Sequence, residues 1–162
     1  MAIDMSKHTF DIVCIETTYE KNLRLKQIAE STFKLCSDKS NIFIWANDKN
    51  LIQVEEDMKD LGYSIHARIV VNKCRGITLN SGIKQVHEYL IWFYKKGHML
   101  MPRKEVRGKY RDVITVVSDF DDYKEYAYYM LDDMFPYAKK VKVHTGNHKY
   151  DLPHKETSLM YS

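Results

Sequence analysis

The sequence predicts an α/β domain with a mostly parallel sheet and helices on both faces, on three observations. Short apolar, β-branched runs recur along the chain and suit strands buried on both sides. Between several of them lie stretches with apolar residues at three-and-four spacing, the stripe of an amphipathic helix. Glycine or proline closes those stripes, and strands that alternate with helices need the crossover connections of a parallel sheet. With 162 residues, the chain has the length of one domain, 1–162, with residues 1–8 and 150–162 as loosely ordered tails.

In order, Thr9 to Ile15 is the first buried strand, and "LKQIAESTFKLC" follows as a helix whose stripe runs Leu25, Ile28, Ala29, Thr32, Phe33, Cys36. "NIFIWAN" (41–47) is the second strand. Asp48 caps a helix with Leu51, Val54, Met58 and Leu61 on one face, which Gly62 stops. "SIHARIVVNK" (64–73) is the third strand, and "CRGITLNSG" follows as a loop whose Gly and Asn permit turns. "VHEYLIWFY" (86–94) and "DVITVV" (112–117) are strands that bracket a basic segment. Phe120, Tyr123, Tyr126, Ala127, Met130, Leu131 and Met134 line the last helix, closed by Pro136, and "KKVKVHTG" (139–146) is the terminal strand.

Composition excludes more than it selects. A net charge of +3 does not mark a nucleic-acid binder, but its distribution is uneven. Residues 95–111 carry seven Lys or Arg against one Glu: Lys95, Lys96, Arg103, Lys104, Arg107, Lys109 and Arg111. Residues 119–133 carry six acids against one Lys, so this pair of segments is either a solvated loop beside an acidic helix or a phosphate-contacting surface. Three cysteines without paired spacing fit reduced thiols in a cytoplasmic protein, Cys14 and Cys36 as core residues. The N-terminal "MAIDMSKHTF" lacks the apolar stretch of a signal peptide and no run reaches membrane-spanning length, so no anchor is expected. No phosphate-cradling glycine motif supports nucleotide hydrolysis, and His144, His148 and His154 lack a spacing that assures a metal site, so none is expected.

In open α/β sheets ligands bind beyond the carboxyl ends of the strands. That rule points to Glu16–Tyr19, to Asn47 with Asp48, to Lys73 and to His144–His148. A carboxylate at Glu16 can accept hydrogen bonds from an amine, Tyr19 can stack on a base, and Lys73 can meet a carboxylate. Each has a plainer reading as the polar end of a strand. His87 and Glu88 open a strand as a surface pair or a buried hydrogen bond.

The order of these segments resembles the N(6)-adenine methyltransferase family that includes the catalytic subunit of mRNA adenine methyltransferase, with bacterial and phage relatives. The resemblance spans roughly residues 10–150 and rests on "NIFIWANDKNLIQVEEDMKDLGY", "IVVNK", "VHEYLIWFYKKG" and "MLDDMFPYAKKVKVHTG", weak matches in the right order. It implies a Rossmann-like methyltransferase fold whose catalytic motif precedes its cofactor loop. The family's Asp-Pro-Pro-Trp falls on Glu16, Thr17, Thr18 and Tyr19. S-adenosylmethionine, if the site is active, falls to Lys73 and to His144, Thr145 and Asn147.

Glu for Asp keeps the charge one methylene further out, and Tyr for Trp keeps stacking. The two prolines that fix the loop are gone, and misplacing a reacting group by about 1 Å costs on the order of a hundredfold in rate. Lys-Pro is also missing from "VVSDFDDYK" at the entry to the last helix. Two functions therefore stand. In one, a degenerate family member binds nucleic acid through the basic segment, or a protein partner or second copy, without methyl transfer. In the other, an active enzyme methylates adenine in DNA or RNA.

Overall fold

The structure, a computed structural model, describes residues 10–16, 34, 36–116 and 123–144. The expected helix over 25–36, the acids Asp119, Asp121 and Asp122, and both tails lie outside the described residues, apart from positions 34 and 36 of that helix. Cys36 corrects the helix's far end: it opens a strand, with Cys36–Ala46 continuous, because Cys36 pairs with Phe10 and the Ser37 hydroxyl donates to Asp11 Oδ1 at 2.6 Å.

The chain forms strands β1 (Phe10–Glu16) and β2 (Cys36–Ala46), helix α1 (Leu51–Asp60), strands β3 (Ser64–Thr78), β4 (Lys84–Tyr94) and β5 (Val113–Thr115), helix α2 (Tyr123–Met134) and strand β6 (Lys140–His144). The sheet order is β5-β3-β4-β2-β1-β6. β1 runs parallel to β2 and β6, and β3 parallel to β5, while β4 is antiparallel to both its neighbours. A single reversed strand inside an otherwise parallel sheet follows from the short β3–β4 connection, which leaves no room for a crossover helix.

Strand alternation divides the core into two layers. Val13, Ile15, Ile42, Ile44, Ile91 and Phe93 face α1, which buries Val54 and Met58 against them. Ile12, Cys14, Phe43, Trp45, Leu90 and Trp92 face α2, which buries Ala127, Tyr128, Met130 and Leu131. One described helix thus covers each face, a three-layer Rossmann-like methyltransferase architecture. α1 ends as its sequence dictates. Gly62 at φ 90° lets its N–H reach Lys59 O at 2.9 Å and the Tyr63 N–H reach Met58 O at 3.0 Å, satisfying carbonyls of the last turn. Its start differs from expectation. Asn47 Oδ1 accepts from the Lys49 and Asn50 N–H groups at 2.9 and 3.1 Å, and Asp48 caps nothing because its carboxylate is turned toward β4.

Residues 74–78, expected in a loop, extend β3. At Asn72 the partner is His87, but at Ile77 it is Gln85, so a bulge of three extra residues separates the two registers. Cys74 takes φ 59° there, and its N–H is held by Asn72 Oδ1 at 2.9 Å. Beyond the bulge the hairpin runs on alone among the described strands, because β2 ends opposite Tyr89 and β5 ends opposite Asn72.

Candidate functional site

The carboxyl ends of β1, β2, β3 and β6 share one edge of the sheet, and β4, being reversed, brings its amino end there. Glu16 closes β1 on this edge with its side chain only 13% exposed. Its Oε1 accepts a hydrogen bond from the Tyr128 hydroxyl, which in turn accepts from the Trp45 indole N–H at 2.9 Å. Its Oε2 lies 3.7 Å from the Lys124 ammonium. Lys124 and Tyr128 are four apart on α2, so one face of the helix delivers a cation and a hydroxyl to the same carboxylate. Burial, then the charges of Cys14 and Glu16, hold the Tyr128 phenol neutral far above its ordinary range, which keeps it a donor.

Lys73 sits on the same edge. Its ammonium is 3.4 Å from Glu88 Oε1 and 5.2 Å from the centre of the Tyr123 ring. Tyr123 lies edge-on to Trp45 at 5.5 Å, and Lys124 stands 5.8 Å from the Tyr123 ring. A continuous run from Lys73 through Tyr123 and Lys124 to Glu16 therefore joins two residues that are far apart in sequence. Lys142, on β6, lies over the Tyr128 ring at 5.2 Å.

On the opposite face of the same edge, Asp48 accepts from Gln85 Nε2 and lies 3.4 Å from His87 Nε2, which is 3.2 Å from the Tyr89 hydroxyl. Partial burial raises the Asp48 carboxyl, but hydrogen bonds from Tyr89, Gln85 and His87 outweigh it and leave the acid below its ordinary value. Tyr89 is raised, by burial first and then by Asp48. His87 and Glu88 do not form a pair with each other: adjacent strand residues point to opposite faces, His87 to Asp48 and the buried Glu88 to Lys73.

Thr17, Thr18, Tyr19, Thr145 and Asn147, and the side chain of His144, lie outside the described residues. The backbone of His144 pairs with Glu16, so β6 ends beside the candidate motif. Among the described residues no three His, Cys, Asp or Glu gather as a metal-binding group.

The structure separates the basic segment from this edge. β4 ends at Tyr94, paired with Asn41 and Ser64 near the starts of β2 and β3, so Lys95 and Lys96 follow at the amino edge. Asn41 holds Leu100 there in both directions, and the Arg103 N–H bonds Met134 O at the end of α2. Arg103 and Lys109 converge with the Tyr110 hydroxyl on Asp133, Lys109 at 2.7 Å. Lys95 lies over the Tyr63 ring at 5.3 Å. Lys104 opens a single 3₁₀ turn, Lys104–Val106, and Arg107 follows it.

Sequence reasoning missed Trp45, Tyr123, Lys124 and Tyr128 as members of the edge. Tyr128 falls off the apolar stripe drawn for the last helix, and the Lys124–Tyr128 spacing was the available signal.

Of the side chains expected to hold S-adenosylmethionine only that of Lys73 is described, and it does not fit the task unaided. Its charge is already matched by Glu88, which is 6% exposed, so an incoming carboxylate meets a cation with an anion behind it.

No family model matches this chain, and no curated protein matches it. Solved structures do. M1.HpyAVI is similar at a TM-score of 0.64 with 11% identity, over 83% of this chain and 73% of that one. Its complex with S-adenosylmethionine gives 0.55 at 16% identity, over 69% of this chain; there the chain spans 58% of the other's length. TTHA0409 of Thermus thermophilus, described as a candidate DNA modification methylase, gives 0.55 at 15% identity over 80% of this chain and 70% of that one. At these identities the likeness is one of fold, and the fold is the Rossmann-like one of these methyltransferases.

Proposed function

We propose that this protein is an N(6)-adenine-methyltransferase-like domain with a degenerate motif, which binds nucleic acid or a protein partner without transferring a methyl group. One observation carries the reading: the Glu16 carboxylate is turned inward, held by Tyr128 and Lys124, instead of lying open to an amine. Thr17 and Thr18 in place of prolines, and the prior pairing of Lys73 with Glu88, support it from the motif and cofactor sides. A nucleic-acid partner accords with the DNA methylases among the structural neighbours. The free thiols suit work in the cytoplasm, and among the described residues no helix is long and apolar enough to cross a membrane.

The second reading, an active adenine methyltransferase, is favoured by the run that joins Glu16 and Lys73 on one edge. Thermal unfolding with and without S-adenosylmethionine and its demethylated product separates the two. A ligand at a hundredfold over its dissociation constant adds about 2.7 kcal/mol, roughly 5 to 10 °C for a domain of this size. We expect no shift at millimolar ligand. A rise of that order, lost in Lys73→Ala, overturns the non-catalytic reading in favour of the enzyme.

A further inference from the structure

The β3–β4 hairpin outruns the sheet. From the bulge at Cys74 to the turn it has no described strand on either side, since β2 and β5 stop at Tyr89 and Asn72. Its turn is tight: the Gly82 N–H bonds Leu79 O at 2.9 Å, the Leu79 N–H bonds Ile83 O at 2.8 Å, and Gly82 takes the positive φ of 86° that this closure requires.

The base of the arm is fixed on both sides. Asp48 holds Gln85 and His87 from the α1 side, while the Val116 N–H bonds Asn72 O at 3.0 Å and Cys74 Sγ lies 3.8 Å from Val116 O on the other. Gly76 lets the two strands close completely, since a Cβ there would fall 1.7 Å from Gln85 O. A projecting two-stranded element clamped at its root presents a rigid surface.

Its chemistry is one-sided. From Cys74 to Gln85 there is no Asp or Glu, while Arg75 and Lys84 are cations; Lys73, at the root, is matched by Glu88. At the tip Leu79 and Ile83 are 41% and 66% exposed, two apolar side chains brought together by the turn with no described part of the domain over them. Thr78, Asn80 and Ser81 add exposed hydrogen-bonding groups.

We propose that this arm is a ribbon for the major groove of B-form DNA, with Lys84 and the charge carried at Arg75 serving the phosphates and with Leu79 and Ile83 serving the base edges. The inference rests on the reading of the domain as a nucleic-acid binder, and it moves the contact surface from residues 95–111 to the edge that carries Glu16. A two-stranded ribbon fits the B-form major groove, whereas the deep, narrow major groove of A-form RNA excludes it. Apolar tips serve such elements by meeting thymine methyls or by wedging between steps.

The test is fluorescence anisotropy with a labelled DNA duplex of about two helical turns, the matching RNA duplex and the single strand, across a range of salt. The proteins are the full chain, Arg75→Gln with Lys84→Gln, Leu79→Ser with Ile83→Ser, and Lys96→Gln with Lys104→Gln and Arg107→Gln on the opposite edge. Far-UV circular dichroism and Tm show that each is folded. We expect the arm-charge variant to bind the DNA duplex on the order of tenfold more weakly, its salt slope reduced by about 0.9 for each phosphate it no longer meets. The tip variant should weaken binding with the slope unchanged, and the opposite-edge variant should bind as the wild type does. Arm variants that bind normally while the opposite-edge variant fails overturn the arm and leave the nucleic-acid reading standing. Tighter binding to the RNA duplex also overturns it. No salt-dependent binding by the wild type removes both.

Discussion

Tyr128 makes the candidate site what it is, because its hydroxyl is at once the acceptor for Trp45 and the donor to Glu16. Tyr128→Phe keeps the ring and its packing but withdraws a hydrogen bond from two nearly buried partners, and we expect a loss of about 1 to 3 kcal/mol in urea unfolding. An unchanged midpoint would mean that the inward turn of Glu16 does not depend on the Tyr128 hydroxyl. Asp133 supplies a pH signature at the other edge. Hydrogen bonds from Lys109, Tyr110 and Arg103 hold its carboxyl well below the usual carboxylate range. A depressed folded value means stability that is full above the ordinary aspartate value of about 4 and lost as pH falls from there through the folded value. The Tm gap between wild type and Asp133→Asn should therefore be constant from neutrality to about pH 5 and close below about pH 4. A gap that persists in acid would place the effect in packing instead of charge. Glu16, Lys73 and the Cys14 core position were legible because strand ends and apolar runs locate them. The partners of those side chains were not, since they come from α2 and β4, far along the chain.

At the scale of elements, every described strand has at least one end within about two residues of its sequence-based bounds, and α1 matches from Leu51. Apolar periodicity carries that much. β2 reaches back to Cys36 because Cys36 pairs with Phe10 across an irregularity filled by the polar residues 37–40, and β3 reaches on to Thr78 because a hairpin needs no apolar face when neither side is covered. The same reason hid the arm: "CRGITLNSG" has the composition of a loop, and its pairing shows only in the structure, in the register of Ile77 and Thr78 with Gln85 and Lys84 and in the close approach at Gly76. Gly76→Ala tests that pairing. Its methyl would overlap a backbone carbonyl, so we expect about 1 to 3 kcal/mol of destabilisation together with weaker DNA binding. A neutral substitution would show that the hairpin's strands sit apart in solution.

Across the whole molecule one sheet is shared by two cores, and both tryptophans lie in the layer beneath α2. Met58 belongs to the other layer, beneath α1. Met58→Ala should cost about 2 to 5 kcal/mol. If the sheet couples the layers, tryptophan fluorescence and far-UV circular dichroism should shift together, as they do in a two-state transition. Separate transitions would show that the layers melt independently. The reversal of β4 also has a bearing on how such a protein can change over time. Because the chain turns round at the outer end of a hairpin that no other described strand touches, residues added between Thr78 and Lys84 disturb neither the sheet order nor either core. Each doubling of such a loop costs only about 0.6 kcal/mol. The tip is therefore the cheapest place in this chain to acquire a new recognition specificity while the scaffold behind it stays as it is.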